Sequence, residues 1–170
     1  MSEELRSILL GTAGLSAAAL AAILLTLTRG GISSSGAELR ASVRLAAIAV
    51  LLQAAHFAEE VATGFPELFP DQLGLTPWSR GFFVSFNLFW LIVWGFGVLG
   101  LAARRRPALA ALWFLAIAGF VNGLAHPVLS ARVGGYFPGL ITSPFLGVVG
   151  LLLLRRLALL TRGRGSPREV

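Results

Sequence analysis

The chain has 170 residues, of which 56% are hydrophobic and 13% charged, with a mean hydropathy of +0.80. A soluble domain carries about 25% charged residues, so most of this surface is not built for water. There is no cysteine, which excludes disulfides, thiolate metal sites and a cysteine nucleophile. The 14 basic residues, all arginine, lie between apolar stretches rather than on one face, which argues against a nucleic-acid partner despite a sequence pI near 11.6.

A helix needs about 17–25 apolar residues to cross a hydrocarbon core. Five stretches meet that length, at 8–28, 43–63, 81–103, 108–131 and 137–157. The first follows Glu3 and Glu4 rather than basic residues, and it is longer than the apolar core of a signal peptide, so it reads as a retained helix. Breaks separate the stretches: a Gly/Ser-rich segment at 29–36, a Pro/Phe-rich one at 65–77, Arg104-Arg105-Arg106-Pro107, and Gly134-Gly135-Tyr136-Phe137-Pro138. Arg29, Arg40, Arg44, Arg104, Arg105, Arg106, Arg155, Arg156, Arg162, Arg164 and Arg168 fall on one side of this layout, against Arg6, Arg80 and Arg132 on the other. The positive-inside rule then puts the N-terminus outside and the C-terminus in the cytoplasm. The expected fold is an all-α integral membrane bundle of five transmembrane helices in one domain, with a basic cytoplasmic tail over 158–170 that also favours anionic lipid. Its expected place is a plasma membrane of the bacterial inner-membrane type.

Polar residues inside the spans are few. Those that stand out, in chain order, are His56, Glu59 and Glu60 on the second, Asn87 on the third, Asn122 and His126 on the fourth, and Thr142 and Ser143 on the fifth. An ionisable group in a span costs at least ~2.5 kcal/mol and usually faces the bundle interior. At about 1.5 Å per residue, His56, Asn87 and Asn122 all lie roughly 20 Å from the cytoplasmic side. Four helices therefore deliver polar side chains to one layer in the outer half of the membrane. Glu59 and Glu60 follow His56 by three and four positions, so both carboxylates fit the histidine's face, and Asn122 and His126 are also four apart. Pro127 and Pro144 each free a carbonyl of the preceding turn, which is tolerated where it lines a polar cavity.

The pentapeptide His56-Phe57-Ala58-Glu59-Glu60, at the end of a span, resembles the signature of the membrane-protein family named for its HXXEE motif. The resemblance covers the multi-span layout and this motif, and it extends to Asn122 and His126. It implies three site residues, His56, Glu59 and Glu60, and no particular reaction.

Three chemistries suit these residues. His56 and His126 with Glu59 or Glu60 make a two-histidine, one-carboxylate set of the kind that holds one zinc or ferrous ion. The other glutamate would then serve as general base, and Asn87 and Asn122 would orient ligands or substrate. Without a metal, clustered carboxylates in a low-dielectric site share a proton and can work with histidine as an acid–base pair on a lipid, as in an isomerase. Proton- or ion-coupled transport is the third, opposed by the uninterrupted apolar run below Asn87. The expectation is a metal-dependent hydrolase acting on a lipid or other apolar substrate, within membrane lipid and without nucleic acid; assembly into a homo-oligomer stays open. The 65–75 segment is expected to form a short helix lidding the site, and the first span to pack outside the cavity as scaffold.

Overall fold

The computed structural model describes residues 2–29, 31–32 and 34–161, so the arginines of the tail from 162 onward lie outside the described residues. Among these residues there are seven helices and no strand: α1 (Glu3–Gly11), α2 (Ala13–Thr28), α3 (Gly36–Thr63), α4 (Phe65–Gln72), α5 (Arg80–Ala102), α6 (Ala108–Val133) and α7 (Ser143–Leu160). α3, α5, α6 and α7 are each long and apolar enough to cross a membrane. α1 and α2 make a fifth if their pair, bent by 49°, counts as one span.

The first expected span is thus broken. Thr12 bonds its hydroxyl back to the carbonyl of Ile8 at 2.7 Å, a local alternative that bends helices. Gly11 lets the indole of Trp78 lie against the chain, where an added Cβ would meet the ring. The Trp78 indole N–H donates to Ser7, whose hydroxyl donates to the carbonyl of Thr76. α1 is therefore tied to the segment that follows α4 instead of continuing straight into α2.

The last span also differs from its expected bounds. Residues 137–142 are apolar enough to prolong it but are not helical, and α7 starts at Ser143. Gly139 is left-handed (φ +87°), which ends any helical run there. Pro144 consequently sits in the first turn of α7, where its missing N–H costs nothing, and not inside a helix as its position in the apolar run suggests. At the other end α7 reaches Leu160, so the first residues of the expected tail are helical and packed.

α6 is the hub of the bundle, packing on α7, α2, α5 and α3. Its closest neighbour is α7, where Gly123 faces Gly147 and Gly150 faces the backbone of Ala116 and Phe120. A Cβ on Gly123 or Gly150 would overlap the opposite backbone, so these glycines set the helix spacing as small residues do in membrane bundles. Leu109, Leu112, Leu153 and Leu157 fill the interior near the arginine-bearing turns. Near the opposite end the packing is aromatic, with Phe65, Trp78, Phe83 and Phe137 in one cluster.

Candidate metal centre

α3 is held in register from its start. Ser35 and Glu38 form a reciprocal capping box, and Gly64 (φ +83°) ends the helix in the left-handed conformation. Between these ends Gln53, His56 and Glu60 fall at spacings of three and four and are all buried, so they form one inward face. Gly64 turns the chain directly into α4, whose Phe65 ring lies 5.5 Å from the His126 ring. Pro66 and Pro70 are fully buried beneath it. The expected short helix over the site is present.

His56, Glu60 and His126 meet in the interior, with 0%, 6% and 2% of their surfaces exposed. Glu60 Oε1 lies 3.4 Å from His56 Nε2 and 3.5 Å from His126 Nε2. The two rings are 4.6 Å apart and perpendicular. One ligand atom from each of the three side chains can be chosen so that all lie within 4.8 Å of one another.

The other nitrogen of each ring is committed. His126 Nδ1 is 2.6 Å from the Pro138 carbonyl. A carbonyl can only accept, so Nδ1 carries the proton and, in the neutral ring, Nε2 presents a lone pair. His56 Nδ1 is 2.7 Å from the Thr142 hydroxyl. That hydroxyl donates its hydrogen to Glu59 Oε2 at 2.5 Å, which leaves it an acceptor for His56 Nδ1–H. Both imidazoles are thereby set in the same tautomer, with bare Nε2 atoms converging on a carboxylate oxygen. His56 Nε2 is buried with no hydrogen-bond partner. A charge-assisted N–H···O bond would be about 2.7–2.9 Å long, well short of the distances here. Donor atoms on a tetrahedral ion with bonds of about 2.0–2.2 Å stand roughly 3.3–3.5 Å apart, which these distances match.

Glu59 lies apart from this group. Its Oε1 accepts from Tyr136 O–H at 2.7 Å and Ile141 N–H at 2.9 Å, and its Oε2 accepts from Thr142 N–H at 2.9 Å as well as from the Thr142 hydroxyl. It thus ties α3 to the segment just before α7, where free N–H groups favour an anion. The Tyr136 phenol, in the α6–α7 loop, is held above its ordinary value by burial and by its bond to Glu59. Asn87 donates to the carbonyl of Phe83 at 2.9 Å. Asn87 and Asn122 both line a cavity of about 190 Å³ that Glu60 and His126 also border. Gly11, Leu15 and Ala18 line that cavity too, so the first span forms one of its walls and is not packed outside it.

Gly139 closes the site. A Cβ there would stand 2.6 Å from His126 Cε1 and 2.7 Å from His56 Cε1, and its φ of +87° already favours glycine. Gln53 and the backbone carbonyl of Pro138 are parts of the site that the sequence reading does not single out. Gln53 had a usable signal, being a lone amide one turn before His56 in a run of Ala and Leu. The Pro138 carbonyl had none, because any residue supplies one.

A family model described as proteins of unknown function with an HXXEE motif matches residues 47–153, more than half of the chain. The chain belongs to this HXXEE family. The matched region contains His56, Glu60 and His126, all of α6, the later part of α3 and the loop between α6 and α7. No curated protein and no solved structure matches the chain significantly.

Proposed function

We propose that this HXXEE-family chain is a metal-dependent membrane enzyme, a hydrolase acting on a lipid or other apolar substrate. His56, Glu60 and His126 hold one zinc or iron ion. The observation that carries this reading is the pair of fixed tautomers: both Nδ1–H groups are spent on Thr142 and Pro138, so three lone-pair donors face one another in the buried interior. Unfilled, such an arrangement leaves His56 Nε2 buried without a partner, at about 1–3 kcal/mol. A cation relieves that cost. The outer hydrogen bonds follow the usual pattern of metal-ligating histidines.

When bound, the ion would supply an acidified water or a polarised carbonyl. The chain's own residues do the rest. Glu60 is the carboxylate ligand. Glu59 is a positioning residue, because both its oxygens are occupied by donors from the α6–α7 loop. Asn87 and Asn122 present amides in the cavity wall beside Glu60 and His126. α4 and the aromatic cluster around Phe65 exclude water from that end. The orientation expected from the arginines, with the site in the outer half of a plasma membrane, is part of the same proposal.

Elemental analysis of detergent-purified protein, prepared without chelator, tests it. About one zinc or iron per chain is expected, falling to background in His126→Ala. Wild-type protein without stoichiometric metal would sink the metal reading and favour a metal-free His/Glu acid–base enzyme. Proton flux in proteoliposomes that vanishes in Glu60→Gln would favour transport instead.

A further inference from the structure

The cavity that begins at Glu60 and His126 continues along α6 as far as Phe114. Those positions of α6 are separated by about 18 Å at 1.5 Å per residue. A volume of about 190 Å³ over that length makes a narrow slot, smaller than the roughly 300–1,000 Å³ of pockets for drug-sized ligands. α2 and α5 both pack on α6, and the slot lies between them, with Gly14 and Ala18 on one side and Phe86, Trp90 and Trp94 on the other. Beyond the slot both helices turn large apolar side chains outward, including Leu20, Ile23 and Leu24 on α2 and Phe89, Ile92 and Phe96 on α5. Gly14 both lines the slot and lies exposed on the surface, so the slot reaches the outside at that point of α2. At Gly14 the space is empty: a Cβ built there meets nothing within 4 Å.

The slot changes character along its length. Toward Phe114 it is lined by Trp90 and Trp94, whose indole N–H groups have no partner, and by Phe114 itself. Toward the His/Glu group three amides, Gln53, Asn87 and Asn122, join the rings of Phe65, Trp78 and Phe83. Gln53 is 4% exposed and its Oε1 has no hydrogen-bond partner. A buried amide left in that state is unfavourable, so a wholly hydrocarbon occupant would leave the amide region unsatisfied. A large polar occupant would in turn waste the aromatic half.

Building on the metal-centre reading above, we propose that the substrate is a single-chain amphiphile that enters sideways from the lipid between α2 and α5. Part of its one hydrocarbon tail lies in the aromatic half of the slot. Its carbonyl linkage, an ester or amide, lies beside Glu60 and His126, among the amides of Gln53, Asn87 and Asn122. About 190 Å³ is less than the volume of one long acyl chain, so the slot takes part of a single tail, the remainder stays in the surrounding lipid, and a second chain has no room.

The full chain, in nanodiscs of unbrominated lipid, is titrated with lysophosphatidylcholine carrying a dibrominated stearoyl chain, and quenching of tryptophan fluorescence is followed. Saturable quenching is expected, since Trp90 and Trp94 line the slot. A diacyl phosphatidylcholine with the same brominated chain should quench without saturating. Gly14→Phe, which places a ring in the empty space at the opening, should weaken the saturable phase at least tenfold while metal content and melting temperature stay unchanged. Quenching that never saturates, saturation by the diacyl lipid, or saturation indifferent to Gly14→Phe would each overturn the proposal. Metal measured on the same samples separates the two readings. Stoichiometric metal without saturable quenching overturns the slot alone, whereas saturable quenching without metal upholds the slot and overturns the metal centre.

Discussion

At one end of the bundle, charged donors meet waiting acceptors. Arg106 reaches the carbonyls of Thr26, Leu27 and Arg29 at the C-terminus of α2, at 3.0, 3.1 and 3.3 Å. Arg29 in turn donates to the Ala158 carbonyl and the Thr161 hydroxyl at the C-terminus of α7, both at 3.0 Å, with its guanidinium 5.8 Å from the Trp113 ring. The last carbonyls of a helix lack partners and carry partial negative charge, so a guanidinium there completes the account. At the other end the balance is reversed. The Tyr136 and Thr142 hydroxyls and the Ile141 and Thr142 N–H groups are spent on Glu59, the Pro138 carbonyl holds His126, and Glu60 Oε1 lies 3.4 and 3.5 Å from the two Nε2 atoms. The arginine end is self-sufficient, whereas the histidine end brings together a His56–Glu60–His126 group that could hold a metal ion. That contrast separates residues that hold the bundle together from residues free to bind.

The sharpest break in this contrast comes from the ligands. His56→Ala or His126→Ala should lower metal affinity by more than about 100-fold, since even outer-sphere partners account for 10–100-fold; metal retained through dialysis in both variants would show that the ligands lie elsewhere. Gly139→Ala should come next. Its methyl group overlaps both rings and its backbone would pay about 1–2 kcal/mol for the left-handed conformation alone. Reduced metal content and a lower melting temperature should appear together, and an unchanged midpoint would show that the loop can move aside freely.

Glu59→Gln sharpens the comparison, because it keeps the shape and removes the charge that holds the Thr142 hydroxyl. A 10–100-fold loss of metal affinity is expected, with the fold retained on circular dichroism. A role for Glu59 as general base would instead leave affinity intact and abolish turnover.

The ligand end and the membrane layout were open to sequence reasoning to different degrees. Spans follow from composition summed over some twenty residues, so α5 and α6 fall close to their expected bounds, and α3 ends where expected but starts earlier, at Gly36. The break at Thr12 and the late start of α7 do not, because they depend on single events: a ring packed on Gly11 and a positive φ at Gly139. Hydropathy counts residues 137–142 as span and is blind to both. His56 and His126 stood out as expensive residues in apolar helices. Helical spacing leaves Glu59 and Glu60 equivalent, one three and one four positions from His56. The distinction arises from α7, whose preceding loop offers N–H groups to Glu59 and none to Glu60.

Smaller effects belong to the arginine end. Arg106→Ala should destabilise the bundle by about 1.5–3 kcal/mol, the range for hydrogen bonds to a charged group, and leave bound metal at its wild-type ratio. A loss of metal on that substitution would mean that the two ends are coupled. Tyr136→Phe should be the mildest. It removes one of the four donors to Glu59 while the Ile141 and Thr142 bonds persist, so less than a tenfold change in metal affinity is expected in a chelator titration. The raised Tyr136 phenol also stays protonated through the neutral range, so its bond to Glu59 should add no step to the pH profile there.

Gly139 has a kinetic consequence. It rests against both imidazoles, while α4 lies over His126 through Phe65. The ligands come from α3 and α6, and the segment closing over them arrives only after α6 has been made. In the proposed metal centre, residues 134–142 cover the ligands on the side of the two rings, while the cavity beside Glu60 and His126 borders them on another side. Release that waits for the loop should be slow and independent of chelator concentration; a rate that rises with chelator would show that the ion leaves through the cavity.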